Sequence, residues 1–409
     1  MARVRVAYEP GKQCSVLYSL RFGDAPEDSS RWVVVTFAAD DGLRKAYKHY
    51  YGNGAGDSGG RANASAVYVP EHRCLVEFFP FDWKLPHLVR ATNAAEMASA
   101  AGFPDGGSAL RAGQGETETL RYVPHKRCVF RLGVHSPEGD NIVKRVVVKV
   151  YPPGPLARQT WRALSTLHSQ AAAGGILVPR PVKMLDRWNL VVMEEAPGTS
   201  LKNVLKRVKT PEEAGALVGR AATALATLHT LRFESRQVRS FENYLEFLRD
   251  EALRVQPVAP LLARQAQALL RKVARIQFPR AAAPPCLIHG DFAPSQLLIA
   301  EDRVAVVDFD NACLGDPAMD LGNFMAKLHR RAAAKGKDYH RRLSQQFLTK
   351  YSEHVRDEAL EERARLYQVL TLVRSALHTF RRAPPSYARE GPASLPVRLL
   401  QEAATCLAA

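Results

Sequence analysis

Through the first two hundred or so residues, apolar positions fall in short alternating runs bounded by Gly, Pro and Asp. From about Pro211 onward, Ala, Leu and Arg recur at helical spacing. The pattern predicts a β-rich region followed by a helical one. Between two β-rich stretches lies a run of Gly and small residues, 102–116, with the composition of a linker.

The stretch ahead of that linker repeats the one behind it. Tyr8, Pro10 and Cys14 correspond to Tyr122, Pro124 and Cys128. Arg31–Phe37 (RWVVVTF) corresponds to Lys144–Val150 (KRVVVKV), and His72–Leu85 corresponds to Arg187–Leu201, with Leu75 set against Leu190. Similarity kept in order over three elements is the mark of duplication, although Tyr68, Pro70 and Cys74 also fit the short hairpin pattern. In this alignment Thr36 stands where Lys149 stands in the second copy.

A chain of 409 residues has enough length for two or three domains and for a core that needs no staples. The six cysteines are far apart and form no Cys-x-x-Cys pair, so they read as small apolar residues in a reducing cytosol. The basic N-terminus has no apolar stretch behind it, and no run is long enough to span a bilayer. The expectation is a cytoplasmic protein with no membrane partner. The net charge of +16 raises the question of nucleic acid. The Arg residues are scattered among Ala, Gly and Pro, however, without the aromatic-and-basic ribbons of single-strand binders, which argues against that partner. Oligomeric state is not readable.

The densest chemistry lies in CLIHGDFAPSQLLIAEDRVAVVDFDNACLGDPAMDLGNF, Cys286–Phe324. An apolar strand turns at His289-Gly290-Asp291, a second runs from Gln296, and a third ends at Asp308. Acidic residues at the ends of adjacent short strands can converge on one ligand. Phosphoryl transfer needs such convergence: a carboxylate to orient and deprotonate a hydroxyl, and oxygen ligands to hold Mg²⁺ against phosphates. The segment resembles the catalytic core of aminoglycoside phosphotransferases and of related choline, homoserine and sugar kinases. The resemblance implies that Asp291 is the catalytic residue, and that Gln296, at a position usually held by Asn, and Asp308 hold the metal. Asp310 either shares that task or is structural. Asp320 would brace the catalytic loop, and His289 would support it.

The resemblance also needs a nucleotide lobe. Lys149 sits in the apolar run Val146–Val150, where a charge is costly unless it reaches a partner such as nucleotide phosphates or, at a sheet edge, water. The turn Pro124–Arg127 occupies the place of a glycine-rich phosphate loop but has no glycine, so Lys126 and Arg127 would serve the phosphates. Glu194 and Ala196, ahead of Pro197-Gly198, fall where the family hinge meets the adenine. One expected part is missing: PLARQTWRALSTLHSQAA, after Lys149, has no acidic residue to pair with it, leaving Gln159 or Gln170 as neutral substitutes.

The expected architecture is an α+β, bilobal protein-kinase-like fold, with a small antiparallel β lobe and a larger helical lobe. Ahead of it stands an extra β-rich N-terminal domain that resembles a degenerate copy of the small lobe. The divisions are 1–101, linker 102–116, small lobe and hinge 117–198, and helical catalytic and substrate lobe 199–409. The expected activity is Mg²⁺-dependent transfer of the γ-phosphate of ATP, or GTP, to a hydroxyl of a small molecule, sugar-like or another metabolite or an antibiotic. The alternative is a pseudokinase that binds nucleotide or a partner. From Leu321 to Ala409 sixteen Lys or Arg face eight Asp or Glu, which opposes a polycationic acceptor unless Glu353, Asp357, Glu358, Glu361 and Glu362 gather locally.

Overall fold

The structure is a computed structural model that describes residues 2–20, 31–52, 65–101, 117–135, 142–335, 339–382 and 394–408, so the proposed linker 102–116 lies outside the described residues. The chain divides into two compact units. One comprises 1–161, 181–195 and 381–384; the other comprises 162–180, 196–380 and 385–409.

The first unit holds two five-stranded antiparallel sheets. One is built from β1 (Ala2–Glu9), β2 (Gln13–Leu20), β3 (Arg31–Ala38), β4 (Ala66–Val69) and β5 (Cys74–Phe78), in the order β1-β2-β3-β5-β4. Helices α1 (Gly42–Tyr50), α2 (Leu88–Thr92) and α3 (Ala94–Ala101) accompany it. The other contains β6 (Thr117–Val123), β7 (Arg127–His135) and β8 (Ile142–Val150). In chain order α4 (Leu156–Ala171) and β9 (Ile176–Leu177) come next, and then the last strands of this sheet, β10 (Pro181–Leu185) and β11 (Leu190–Glu194). Its order, β10-β11-β8-β7-β6, is the same path through five strands.

The registers agree residue by residue. Tyr8 faces Cys14 as Tyr122 faces Cys128, and Thr36 faces Leu75 as Lys149 faces Val191. The last strand departs from the sequence alignment by one place, because Cys74 opposes Phe37 where Leu190 opposes Val150. The reason is local. Each strand is entered through a single 3-10 turn closed by a left-handed residue, Arg73 (φ 47°) and Asn189 (φ 50°), and these two residues correspond. Since side chains alternate across a strand, a one-place shift changes which of them face the core.

Both sheets share one apolar core. Leu17, Val34, Leu85, Leu88, Ala91 and Met97 pack in the same cluster as Tyr122, Cys128, Phe130, Val146, Val148 and Val192. Trp32 stacks on Tyr122, with ring centroids 6.0 Å apart. Thr36 is buried and donates to Ser15 Oγ at 3.0 Å, so the hydroxyl is satisfied inside the sheet.

A polar cluster lies between the segment after β5 and the β6–β7 turn. His125, in the left-handed conformation at φ 63°, donates its backbone N–H to Asp82 Oδ2 at 2.8 Å, and its Nε2 meets Glu77 Oε2 at 2.8 Å. Tyr51 donates to Glu77 at 2.7 Å and Tyr122 to Asp82 at 2.8 Å.

In the second unit β12 (Thr199–Ser200) is followed by α5 (Leu201–Arg207), α6 (Pro211–Thr230), β13 (Val238–Arg239), α7 (Phe241–Val255) and α8 (Pro260–Val273). Then come β14 (Cys286–Ile288), β15 (Leu297–Ala300), β16 (Arg303–Val306) and β17 (Cys313–Gly315). Helices α9 (Ala318–Lys335), α10 (Tyr339–Ser352), α11 (Leu360–Arg382) and α12 (Leu395–Ala408) complete the chain. Two small sheets, β12-β15-β16-β9 and β13-β17-β14, carry the loops of the His-Gly-Asp segment. Thr210 and Ser240 accept N–H bonds from Glu213 and Asn243 and so cap α6 and α7. Phe292, Phe324 and Phe347 fill the core beneath those loops, the last two stacked at 4.0 Å. Among the described residues no helix is long and apolar enough to cross a membrane.

Candidate active site

Asp291 stands on the loop that leaves β14. Two features hold that loop. Gly290 has φ 76°, and a Cβ there would lie 2.5 Å from Asn311 O and 2.7 Å from Arg239 Nη1, so only glycine fits. The buried Asp320, near the start of α9, accepts the backbone N–H groups of His289 at 2.6 Å and Gly290 at 2.9 Å. His229 on α6 meets the same carboxylate at 3.3 Å and is itself held by the Tyr351 hydroxyl at 2.7 Å. Burial pushes the Asp320 pKa up, but the bond and charge of His229 and the His289 N–H outweigh it, so the group stays below the usual carboxylate range.

His289 is fully buried. Its Nε2 lies 3.0 Å from the Val307 carbonyl and therefore carries the hydrogen, and its Nδ1 accepts from the Asp291 N–H at 3.3 Å. The ring thus ties the loop after β14 to the strand leading to Asp308, and both of its nitrogens are occupied.

Gln296 and Asp308 come together. The Gln296 amide donates to Asp308 Oδ2 at 3.2 Å, which leaves the amide oxygen as an acceptor. The backbone binds them too, since Val307 N donates to Gln296 O at 2.9 Å, and Asp308 turns through a left-handed φ of 73°. An amide oxygen and a carboxylate are hard oxygen donors and fit Mg²⁺. Asp310 lies half-buried in the following 3-10 turn.

The sequence reading missed three cations. On the same Asp291 oxygen, Oδ1, Arg374 of α11 closes to 3.3 Å and Lys327 of α9 to 3.8 Å. Arg239 donates to the Gly290 carbonyl and to Asn311 Oδ1, both at 3.2 Å. Arg374 lies fifty residues past the motif and Lys327 three residues past it on α9, and helix packing brings both to Asp291. Also missed was Arg363, fully buried and paired with Asp316 at 2.8 Å and Asp357 at 2.7 Å. Asp316 in turn caps α9 by accepting from Ala318 N.

In the first unit Lys149 is buried on β8 and Glu194 ends β11. Ala196 belongs to the second unit. Lys126 is exposed. Its packing and the charges of Arg381, Arg382 and Arg5 depress its pKa, against the pull of Glu9. Arg127 opens β7. Gln170, one proposed substitute for an acidic partner of Lys149, is committed elsewhere: its amide binds the Arg232 carbonyl at 2.9 Å and N–H at 2.8 Å.

A cavity of about 750 Å³ lies between α6, α10 and the turn before β9, lined by Gly215, Gly219, Thr223, Gln346 and Lys350 among others. Asp302 in the β15–β16 turn and Val304 on β16 line it, but His289, Asp291, Gln296, Asp308 and Asp320 do not. The convergent carboxylates, not this cavity, mark the chemistry here.

The profile of the phosphotransferase enzyme family matches residues 134–351, more than half of the chain. The chain belongs to that family. Solved structures of similar fold include a candidate aminoglycoside phosphotransferase from Ralstonia eutropha JMP134. It is 15% identical, with TM-score 0.54, and the match covers 77% of this chain and 98% of that one. A GDP complex of a point mutant of aminoglycoside 2'-phosphotransferase-IIIa is 17% identical, with TM-score 0.52, covering 76% and 96%. A GDP and kanamycin complex of an APH(2")-III enzyme is 18% identical, with TM-score 0.50, covering 71% and 93%. At these identities the likeness establishes the protein-kinase-like fold. No curated protein matches this phosphotransferase. Its first hundred residues, with their own five-stranded sheet, precede the stretch that the family profile matches.

Proposed function

We propose that the protein transfers the γ-phosphate of ATP or GTP to a hydroxyl of a small molecule, with Asp291 as the catalytic residue. The observation that carries this reading is the pairing of a clamped Asp291 loop with the Gln296–Asp308 donor pair at the ends of neighbouring strands. In the transfer the acceptor oxygen forms the new bond to phosphorus. Its proton passes to the Asp291 carboxylate, and the bond from the γ-phosphorus to the bridging oxygen breaks to leave a nucleoside diphosphate. Bound Mg²⁺ would neutralise charge on the phosphates; Gln296 and Asp308 would hold it, with Asp310 as a further oxygen donor. Lys149 is assigned to the phosphates, Lys126 and Arg127 to the same anion, and Glu194 and Ala196 to the base.

The test is a pair of variants. Asp291→Asn should keep nucleotide affinity and lower turnover at least about a hundredfold, the scale of general-base assistance. Asp308→Ala should weaken nucleotide binding in Mg²⁺ more than binding without it. Unchanged turnover in the first, or equal weakening in the second, would remove the residue from its role.

A second reading, a nucleotide-binding pseudokinase, rests on α4. That helix offers no acid to Lys149, and Gln170 is spent on the Arg232 backbone. Nucleotide binding without any phosphorylated product across hydroxylated metabolites would favour it.

A further inference from the structure

We infer that Glu77 and Asp82, acids of the first copy, are positioning residues for the nucleotide phosphates: through His125 they fix the β6–β7 turn that carries Lys126 and Arg127. The inference rests on the kinase reading above and adds to it the part played by the N-terminal copy.

The two copies build one turn from different residues. Tyr8-Glu9-Pro10-Gly11-Lys12 in the first answers to Tyr122-Val123-Pro124-His125-Lys126 in the second. Lys12 N donates to Glu9 O at 3.0 Å, and Lys126 N donates to Val123 O at 3.0 Å. The residue after the proline is left-handed in both, Gly11 at φ 72° and His125 at φ 63°. A turn with a left-handed residue behind its proline favours glycine. A Cβ on Gly11 would meet nothing within 4 Å, so that glycine answers to backbone conformation alone. A histidine in the same place stands against its backbone preference and needs a hold from outside the turn.

The first copy supplies that hold. Asp82 Oδ2 accepts the His125 N–H and the Tyr122 hydroxyl, both at 2.8 Å, and Glu77 Oε2 meets the His125 ring at 2.8 Å. The acids are fixed in turn. Glu77 Oε1 accepts from the Tyr51 hydroxyl at 2.7 Å and the Trp83 N–H at 2.8 Å, and Asp82 Oδ1 accepts the Lys84 N–H at 2.9 Å. His125, Glu77 and Asp82 are 6%, 0% and 3% exposed, where such bonds are strong and their loss is costly. Every carboxylate oxygen has its partner, so the cluster is a brace and not a cation site.

Brace and phosphate site use opposite faces of β7. Val129 opposes Lys149 in register, and Arg127 lies two places before Val129, about 7 Å along the strand and on the same face. Cys128 and Phe130, on the other face, belong to the core shared with the first sheet. The first copy therefore grips the turn from behind while Arg127 keeps to the face of Lys149. The N–H groups of His125 and Lys126 already donate to Asp82 and Val123, so the turn offers phosphates cationic side chains in place of a glycine-rich cradle of amides. The aim of those side chains depends on where the turn is held.

The experiment measures Mg·ATP binding to the full chain in two variants. One is Asp82→Asn; the other pairs His125→Gly with Glu77→Gln, which restores the glycine of the first copy and leaves no lone charge at position 77. Each should unfold cooperatively and bind Mg·ATP at least about tenfold more weakly, the scale of a lost charge-assisted bond. The same Asp82→Asn change is then placed on Lys126→Ala with Arg127→Ala. With those cations gone it should add less than about twofold, because both routes remove one interaction. A merely structural role would loosen the site in either background, and the two losses would multiply. Should Asp82→Asn fail to fold, the paired variant takes its place in the cycle. Unchanged Mg·ATP affinity in either folded variant, or a loss by the same factor in both backgrounds, would overturn the inference and leave the kinase reading standing. An unaltered chain that binds no nucleotide would strike the kinase reading, and this inference with it.

Discussion

Single residues carry the steepest dependencies in this phosphotransferase, and two of them are testable apart from catalysis. Gly290→Ala places a Cβ against Asn311 O in a left-handed backbone, and the neighbour is main chain that cannot swing away. The variant should lose about 1–3 kcal/mol of stability by denaturant unfolding. His125 supplies a pH dependence. Burial disfavours its charged form, but Asp82, the bond to Glu77 and the charge of Glu77 prevail over burial and over the repulsion of Lys84, so its pKa is raised above the ordinary 6.5. The folded state therefore holds this proton more tightly than the unfolded one. The stabilisation is complete below pH 6.5 and fades as pH rises through the raised value. His125→Gln should accordingly cost more at pH 6 than at pH 9, because Glu77 and Asp82 would be left buried without their cation. Equal cost at the two pH values would show that the imidazolium is not what the two acids hold.

Among the elements, α12 is secured by an acid. Glu402 takes both Arg341 nitrogens, at 2.7 and 2.5 Å, and His329 at 2.8 Å. Burial opposes its charge, yet Arg341 and His329 win and bring its pKa to about 2, from the ordinary 4.5. A depressed carboxylate stabilises above its unfolded value, so this contribution, about 2–3 kcal/mol, should vanish as pH falls from 4.5 towards 2. Glu402→Gln should remove that acid limb and raise amide exchange along α12. The β6–β7 turn makes a second point at this scale. By sequence it takes the place of a phosphate loop with basic side chains, but the sequence does not reveal that His125 meets Glu77 of β5 and Asp82 just after it. Those acids are about fifty residues earlier in the chain.

At the scale of the whole molecule, the first hundred residues complete the core of the first unit. Leu17, Val34, Leu85, Leu88 and Met97 are each at most 3% exposed within the cluster that also buries Phe130 and Val148. At about 1.5–3 kcal/mol for each such side chain, their loss rivals the entire stability of an ordinary domain. A chain starting at Thr117 should therefore be insoluble or bind a dye for exposed apolar surface. Thr36→Ala, which removes one buried hydroxyl and no charge, should leave one nucleotide bound per chain.

The sequence by itself determined a β-rich region ahead of a helical one, the repeat of the β-rich segment, and the His-Gly-Asp, Gln296 and Asp308 positions. Those signals are local, set by side-chain periodicity, turn chemistry and short spacing within one stretch of chain. Tertiary structure decided which copy residue faces which, because the left-handed turn residues Arg73 and Asn189 correspond and so set Cys74, not Leu75, against Leu190. It also decided what surrounds Asp291. Arg374 and Lys327 look like any surface cations in α11 and α9 until helix packing brings both to one carboxylate oxygen. A charge has no sequence signature for its partner, since electrostatic energy depends on distance in space and on burial, and folding sets both.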